Sequence, residues 1–324
     1  VVPSAADIDS RTASQTAERV AGMIDDLGLG SDAIEEQALA AGALGKRQVA
    51  ILAYTPRLSN EAVDALVRYV EQGGKLFICY QLPPQLGIAI GISQPTYVRQ
   101  KREGEFAVVR FQAAEVDGLP DAVRQASWNI TTARPTGFNS RIVGHWYDQE
   151  GKPTKQPALL ISDRGAFFTH ILLPDDRAGK LRMLAAVLGN LAPDLWKQMA
   201  TASLKRCGQV GHLADLKATI GYLANSHSVE ANKALKSAHI QLAQAHKSMV
   251  DAEYSQVVRL AAASHQFLVK AYQLAQPSNA VEGRACWNHT GTGAYPGDWE
   301  RTARELASAG FNMALPNMLW GGRA

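Results

Sequence analysis

The chain has little of what specialised chemistries usually require. Its 324 residues include three cysteines, Cys79, Cys207 and Cys286, far apart and odd in number, so they form neither a disulfide framework nor a Cys-based metal motif. No apolar run approaches the roughly 20 residues needed to span a bilayer. Charge of one sign is not in excess. The net charge is +3, the basic residues are dispersed, and the aromatics are not interleaved with them as a single-strand nucleic-acid binder requires. There is no initiator Met and no charged-then-apolar leader, so a signal peptide is expected to have been removed or never recorded. What is there, 46% hydrophobic and 19% charged residues, is the composition of an ordinary globular protein with room for two or three domains.

Residues 1–175 alternate helical and extended patterns. Residues 12–27 are amphipathic, with Ala17, Val20, Ala21, Ile24 and Leu27 on one face and Gly28 as the stop. Residues 48–54 (QVAILAY) and 75–80 (KLFICY) read as buried strands. Between them Ser59 caps a helix that turns Ala62, Val63, Leu66, Val67 and Val70 inward and ends at Gly73-Gly74. A connection of that length makes the two strands parallel through a βαβ crossover. Further strands are expected at 106–111 and 141–147, with a hairpin of 158–162 and 166–172 turned at Asp163-Arg164-Gly165. The expected class is α/β, a parallel core with antiparallel additions.

The stretch VAILAYTPRLSNEAVDALVRYVEQGGKLFICY, residues 49–80, resembles the class I glutamine-amidotransferase-like fold, a flavodoxin-like architecture, in the non-catalytic form found beside glycosidase barrels. Active members of that fold carry a Cys in a Gly-flanked elbow after a strand, with His and Glu later. Cys79 has no flanking glycine, and its candidate partners, His145 and His170, fall in expected strands. Cys79 is therefore read as a buried core thiol. Gly28-Leu29-Gly30-Ser31-Asp32-Ala33 spells a dinucleotide fingerprint but follows a helix, not a strand; a helix stop followed by an N-cap at Ser31 accounts for it. The sequons at Asn129 and Asn288 read as chance.

From Asp176 the period becomes helical, with helices expected at 176–191, 193–203 and 210–224. Residues 229–276 contain no Gly or Pro and read as one helix, roughly 70 Å long at 1.5 Å per residue, stopped by Pro277. Such a helix needs a partner, and the helices before it are expected to run antiparallel to it as a hairpin. His239, His246 and His265 lie in this run without carboxylates spaced to complete a site, so neither metal nor cofactor is expected.

The last forty residues form a distinct pattern. A strand at 284–287 leads into a polar, glycine-bearing loop at 288–297; Asp298 opens an amphipathic helix that Gly310 ends; a second strand follows at 311–315. This is one βαβ unit, with parallel strands. Through Arg284, Trp287, Asn288, Trp299, Leu306, Gly310, Phe311, Asn312, Asn317 and Trp320 it resembles the start of the catalytic barrel in the bacterial glycosyl hydrolase-like 10 group, related to the α-amylase and family 10 glycosidase architectures. The resemblance implies an amidotransferase-like domain (1–175), a helical region with a long hairpin (176–277) and the first βαβ unit of an incomplete (β/α)₈ barrel (278–324). It also slightly favours an extracytoplasmic location.

Glycoside hydrolysis uses two carboxylates flanking the scissile bond, placed in such barrels at the C-terminal ends of strands. Neither strand here ends in Asp or Glu, and Asp298 and Glu300 suit a helix N-terminus, so no catalytic residue is named. Asn288 and His289 after the first strand, and Asn317, Met318 and Trp320 after the second, would reach the top face. Of these Asn288, His289, Asn317 and Trp320 are the candidate saccharide contacts. The chain is expected to be an accessory N-terminal portion of a carbohydrate-active hydrolase, inactive alone. A poly- or oligosaccharide is then the substrate of the whole, and self-association runs through the α/β or helical region. The alternative is a non-catalytic carbohydrate-binding or scaffold protein.

Overall fold

The computed structural model describes residues 1–2, 9–112, 115–276 and 282–318. The chain divides into two compact units, Val1–Leu274 and Ala275–Ala324. The first opens with helices α1 (Ser10–Asp26) and α2 (Glu36–Ala40), strand β1 (Val49–Leu52), helix α3 (Asn60–Glu71), strand β2 (Lys75–Cys79) and helix α4 (Pro84–Ile90). Strands β3 (Ile92–Arg99), β4 (Phe106–Phe111), β5 (Ala122–Ser127), β6 (Asn129–Pro135), β7 (Arg141–Tyr147), β8 (Pro153–Ile161) and β9 (Gly165–Phe168) follow. Helices α5 (Arg177–Leu191), α6 (Leu195–Arg206), α7 (Leu216–Ala224), α8 (Val229–Val250) and α9 (Tyr254–Ala275) come last.

Seven strands form one sheet in the order β1-β2-β9-β8-β7-β4-β5. β1, β2 and β9 are parallel and every later pairing is antiparallel, which is the α/β arrangement expected from the sequence. β3 and β6 pair separately as an antiparallel ribbon. The period-2 side-chain alternation explains why β2 is an unbroken apolar run. Leu76 and Ile78 join Ala62, Leu66 and Val70 of α3 on one face, while Phe77 and Cys79 join Val20 and Met23 of α1 and Leu184 and Leu188 of α5 on the other. Burying each large side chain contributes roughly 1.5–3 kcal/mol. Ser59 caps α3 as expected, its hydroxyl accepting from the Ala62 N–H.

Several expectations are corrected. No helix starts at Ser31: α2 begins at Glu36, with Glu35 as an N-cap whose side chain makes no capping bond. The run 229–276 is not one helix. Ala252 adopts a left-handed conformation (φ 60°), and the chain reverses there into two helices of 22 residues each. The Ser264 hydroxyl donates to the Ala238 carbonyl at 3.0 Å, and these residues lie equally far from Asp251, so α8 and α9 are antiparallel. The hairpin is thus folded within the run itself. Its physical cause is the small-residue stripe Ala231, Ala234, Ala238 and Ala245 of α8, buried along with Val257, Leu260, Ala261 and Leu268 of α9; a straight helix would leave such a stripe in water. Pro277, the expected stop, lies outside the described residues.

The terminal unit has strand β10 (Ala285–Asn288), helix α10 (Trp299–Ser308) and strand β11 (Met313–Pro316). The strands are parallel, in register from Ala285–Met313 to Asn288–Pro316. Asp298 caps α10, accepting from the Arg301 N–H at 2.9 Å. Every residue of β11 is exposed.

Candidate functional site

Of the residues expected to contact a ligand in the terminal unit, Asn288, His289 and Asn317 sit at the C-terminal ends of its strands. Asn288 ends β10, and its carbonyl accepts from the Asn317 N–H at 2.9 Å, which holds the two asparagines together. The Asn288 side chain is engaged locally: its Oδ1 accepts from the Gly293 N–H at 3.3 Å and from the Thr290 hydroxyl at 3.4 Å, bracing the loop. His289 is exposed beside it. Trp320 lies outside the described residues. No Asp or Glu stands at the end of either strand; Asp298 and Glu300 belong to the start of α10.

In the first unit, the C-terminal ends of the three parallel strands gather a second set of side chains. This is where parallel α/β sheets bind their ligands. Tyr54 follows β1, Tyr80 follows β2 and His170 follows β9. His170 had been expected inside a strand; β9 stops at Phe168, which leaves His170 in the loop beyond it. Tyr80 holds the sharp strand-to-helix bend. Its φ is 65°, its N–H donates to the Phe168 carbonyl at 2.8 Å, and the next N–H, of Gln81, returns to the Cys79 carbonyl at 2.8 Å. A tyrosine in that conformation costs on the order of 1–3 kcal/mol, which the surrounding packing must offset. The elbow position therefore belongs to Tyr80, one residue beyond Cys79. The Cys79 thiol faces the core, and burial pushes its pKa up, the reverse of what a nucleophile requires.

The rings form a chain of contacts. Tyr54 and Tyr80 have centroids 6.0 Å apart, Tyr80 and His170 5.3 Å, and His170 and Trp128 5.6 Å edge-on. Trp128 lies between β5 and β6 and is 54% exposed; Tyr97, on β3, is 59% exposed. The Tyr54 hydroxyl donates to Asp9 at 3.2 Å. Burial, with Tyr97 and Asp9 nearby, raises the Tyr80 pKa.

His170 is held from behind. Both N–H bonds of the Gln125 amide are used, one on the Ile171 carbonyl (3.0 Å) and one on the Ser127 hydroxyl (3.1 Å), and its oxygen accepts from the Leu173 N–H (3.1 Å). His170 Nδ1 lies 3.0 Å from the Ile171 carbonyl and 3.2 Å from Gln125 Nε2, so the ring is fixed in place through this nitrogen. Burial keeps the ring neutral, lowering its pKa from 6.5 to about 4. The loop carrying His170 is fixed further on by Lys180, fully buried, which donates to the Leu173 carbonyl and to Asp175 Oδ1, each at 2.8 Å. Asp175 and Asp176 in turn accept from the N–H groups of Ala126 and Arg124 on β5.

Sequence reasoning missed Tyr54, Tyr80, Tyr97 and Trp128. Tyr80 directly follows a buried parallel strand and Tyr54 lies two residues past another, a signal that was present. Trp128 gave none, because β5 and β6 bury polar residues such as Gln125, Ser127 and Asn129 and do not read as strands. A cavity of about 580 Å³ lies elsewhere in this unit, against α1 and edge strand β1; of its charged side chains, Arg47 and Asp32 bond each other at 2.7 Å, and Glu18 also lines it. Among the described residues no group of His, Cys, Asp and Glu is arranged to hold a metal ion.

No family model and no curated relative matches the chain. Solved structures share parts of its shape at low identity. A ThuA-like protein of Bacteroides uniformis is 12% identical, with 58% of this chain and 88% of that one covered, at a TM-score of 0.43. Two glycosidases also align: α-L-fucosidase isoenzyme 2 of Paenibacillus thiaminolyticus (14% identity, 56% of this chain, 29% of that one, TM-score 0.41) and the β-galactosidase of Marinomonas ef1 (15%, 58%, 26%, 0.39). Likenesses of this extent leave function to be argued from the residues.

Proposed function

We propose that the chain is an accessory, non-catalytic portion of a carbohydrate-active glycoside hydrolase. In this reading residues 1–175 and 176–277 serve as α/β and helical modules and 278–324 opens a (β/α)₈ barrel. The observation that carries it is the terminal βαβ unit: a parallel pair whose apolar side chains face water, with Trp287 68%, Met313 49% and Leu315 43% exposed. A parallel sheet is stable when both faces are covered, and two strands alone are marginal, so this unit has the character of part of a larger sheet. No carboxylate stands at either strand end, and the elbow of the first unit holds Tyr80 in place of a nucleophile. Asn288, His289, Asn317 and Trp320 then contribute saccharide contacts on the barrel's top face.

Two measurements test this. The isolated chain incubated with 4-nitrophenyl glycosides and with soluble polysaccharides is expected to release nothing; turnover that survives repurification overturns the accessory role. The coding sequence beyond Ala324 is expected to specify acidic residues at the ends of later barrel strands. Their absence favours the second reading, a non-catalytic binding or scaffold protein.

A further inference from the structure

We propose that the cavity between α1 and β1 is a slot for one further parallel β-strand, about four apolar residues long, supplied by polypeptide that runs into Val1. Nothing in the terminal unit enters this inference, so it stands or falls separately from the barrel reading.

The walls of the cavity are the two sides of an interrupted sheet. Residues 29–34 line one side, and residues 48–51, which include the open edge of β1, line the other. Val1 and Val2 join these walls at one end. Val2 pairs in parallel with Glu35: its N–H donates to the Ile34 carbonyl at 2.9 Å, and its carbonyl accepts from the Glu36 N–H at 3.0 Å. Val1 bonds the opposite way, its nitrogen donating to the Ile51 carbonyl at 2.8 Å. One residue bonded to one side and the next to the other is the pattern of a strand inside a parallel sheet. Because the pairing is parallel, positions before Val1 face positions before Glu35 and Ile51, and those are the residues that line the cavity.

The edge of β1 is set to receive such a strand. The Lys75 N–H takes the Gln48 carbonyl, so alternate residues from Gln48 bond toward β2, while Val49 and Ile51 turn their backbone groups to the cavity. Apolar side chains lie on both faces, Val20 and Ile24 of α1 on one and Leu44 on the other, whereas Glu18, Asp32 and Arg47 are exposed. A parallel strand covered on both faces is a continuous apolar run. The volume agrees with one strand. A covered strand takes ~3.3 Å along its axis, ~4.8 Å between neighbours and ~10 Å between layers, or ~160 Å³ per residue, so a cavity of about 580 Å³ takes about four residues. A strand from another molecule would have to stop against Val1, which fills the last position; a strand continuous with Val1 has no such end. With it in place β1 lies inside the sheet, and an apolar edge is removed.

The coding sequence upstream of Val1 is expected to specify about four apolar residues directly before it. Charged residues or prolines there, or no open frame, overturn the proposal. Stability supplies the physical test. The chain extended before Val1 by Val-Ile-Ala-Val or by Ile-Val-Val-Ala is compared with the chain as it stands and with a Gly-Ser-Gly-Ser extension. The apolar extensions are expected to raise Tm by ~5–10 °C and to slow amide exchange at Val49 and Ile51 at least about tenfold, and the Gly-Ser extension to do neither. Equal midpoints and equal exchange in the apolar and Gly-Ser chains overturn the slot. Protection of Val49 and Ile51 that rises with the concentration of the unextended chain overturns the source, because it assigns the edge to a second copy.

Discussion

Strands β2 and β11 are each short, apolar and paired in parallel, yet one is buried over all but its first residue and the other is exposed along its length. From Leu76 to Cys79 no residue of β2 exceeds 1% exposure, whereas Met313 and Leu315 of β11 are 49% and 43% exposed. The local rules are the same in both: each is linked to its partner strand by a capped amphipathic helix. What differs is cover. β2 has β1 and β9 on its two sides and helices on both faces; β10 and β11 have only each other in their sheet. A βαβ sequence pattern therefore specifies the pairing and the crossover, but the stability of the strands comes from the layers packed against them.

The largest effect expected from this contrast is in the core of the first unit. Trp146 is fully buried, its Nε1–H donates to the Thr169 hydroxyl at 2.8 Å, and Phe106 and Phe168 lie 6.0 Å from it on their own sides. Trp146→Ala is expected to lower the urea unfolding free energy by ~3–5 kcal/mol, while Leu315→Ala in β11 changes it by no more than ~0.5 kcal/mol. Comparable losses in the two variants would show that β11 is covered after all.

Next comes pH. Because burial holds the His170 pKa near 4 rather than 6.5, the unfolded chain binds a proton in that window that the folded chain does not. Stability is then unaffected by this residue above pH 6.5 and falls as the pH drops toward 4, by ~3 kcal/mol in full. His170→Gln is expected to flatten that part of the profile. An unchanged slope would mean that the histidine is solvated in the folded chain.

The smallest effects are at the helix caps. Ser59→Ala and Asp298→Ala each remove one side-chain acceptor at a helix start and cost ~1 kcal/mol. Ser59→Ala is expected to shift the cooperative unfolding midpoint; Asp298→Ala is expected to quicken amide exchange in α10 and leave that midpoint in place. A midpoint shift in Asp298→Ala would show that the two units unfold as one.

The residues differ in how much they disclosed in advance. The strands of the parallel core, the caps at Ser59 and Asp298, the stops at Gly28, Gly73 and Gly310, and the burial of Cys79 follow from composition at neighbouring positions, because propensity, capping and period-2 burial act over a few residues. The ribbon β3–β6 and strand β5 were not legible, since their stability rests on pairing partners distant in sequence and on polar side chains buried by bonds to one another. The strand-end cluster went unseen for the same reason: Asp9, Tyr54, Tyr80, Tyr97, Trp128 and His170 come from six separate segments. The break at Ala252 was hidden as well, because nothing local forbids a continuous helix. It bends because the stripe on α8 is buried by packing against α9.

By itself the sequence determined which segments are strands of a parallel core, where several helices start and stop, and that a βαβ unit closes the described chain. Tertiary structure alone decided that Tyr80 rather than Cys79 occupies the elbow and that burial keeps His170 neutral. It also decided that the long helical run doubles back and that one apolar strand is buried while another faces water. The physical reason is range. Backbone propensity and capping are fixed by neighbours in the chain, whereas burial, protonation and backbone strain depend on what the fold brings alongside.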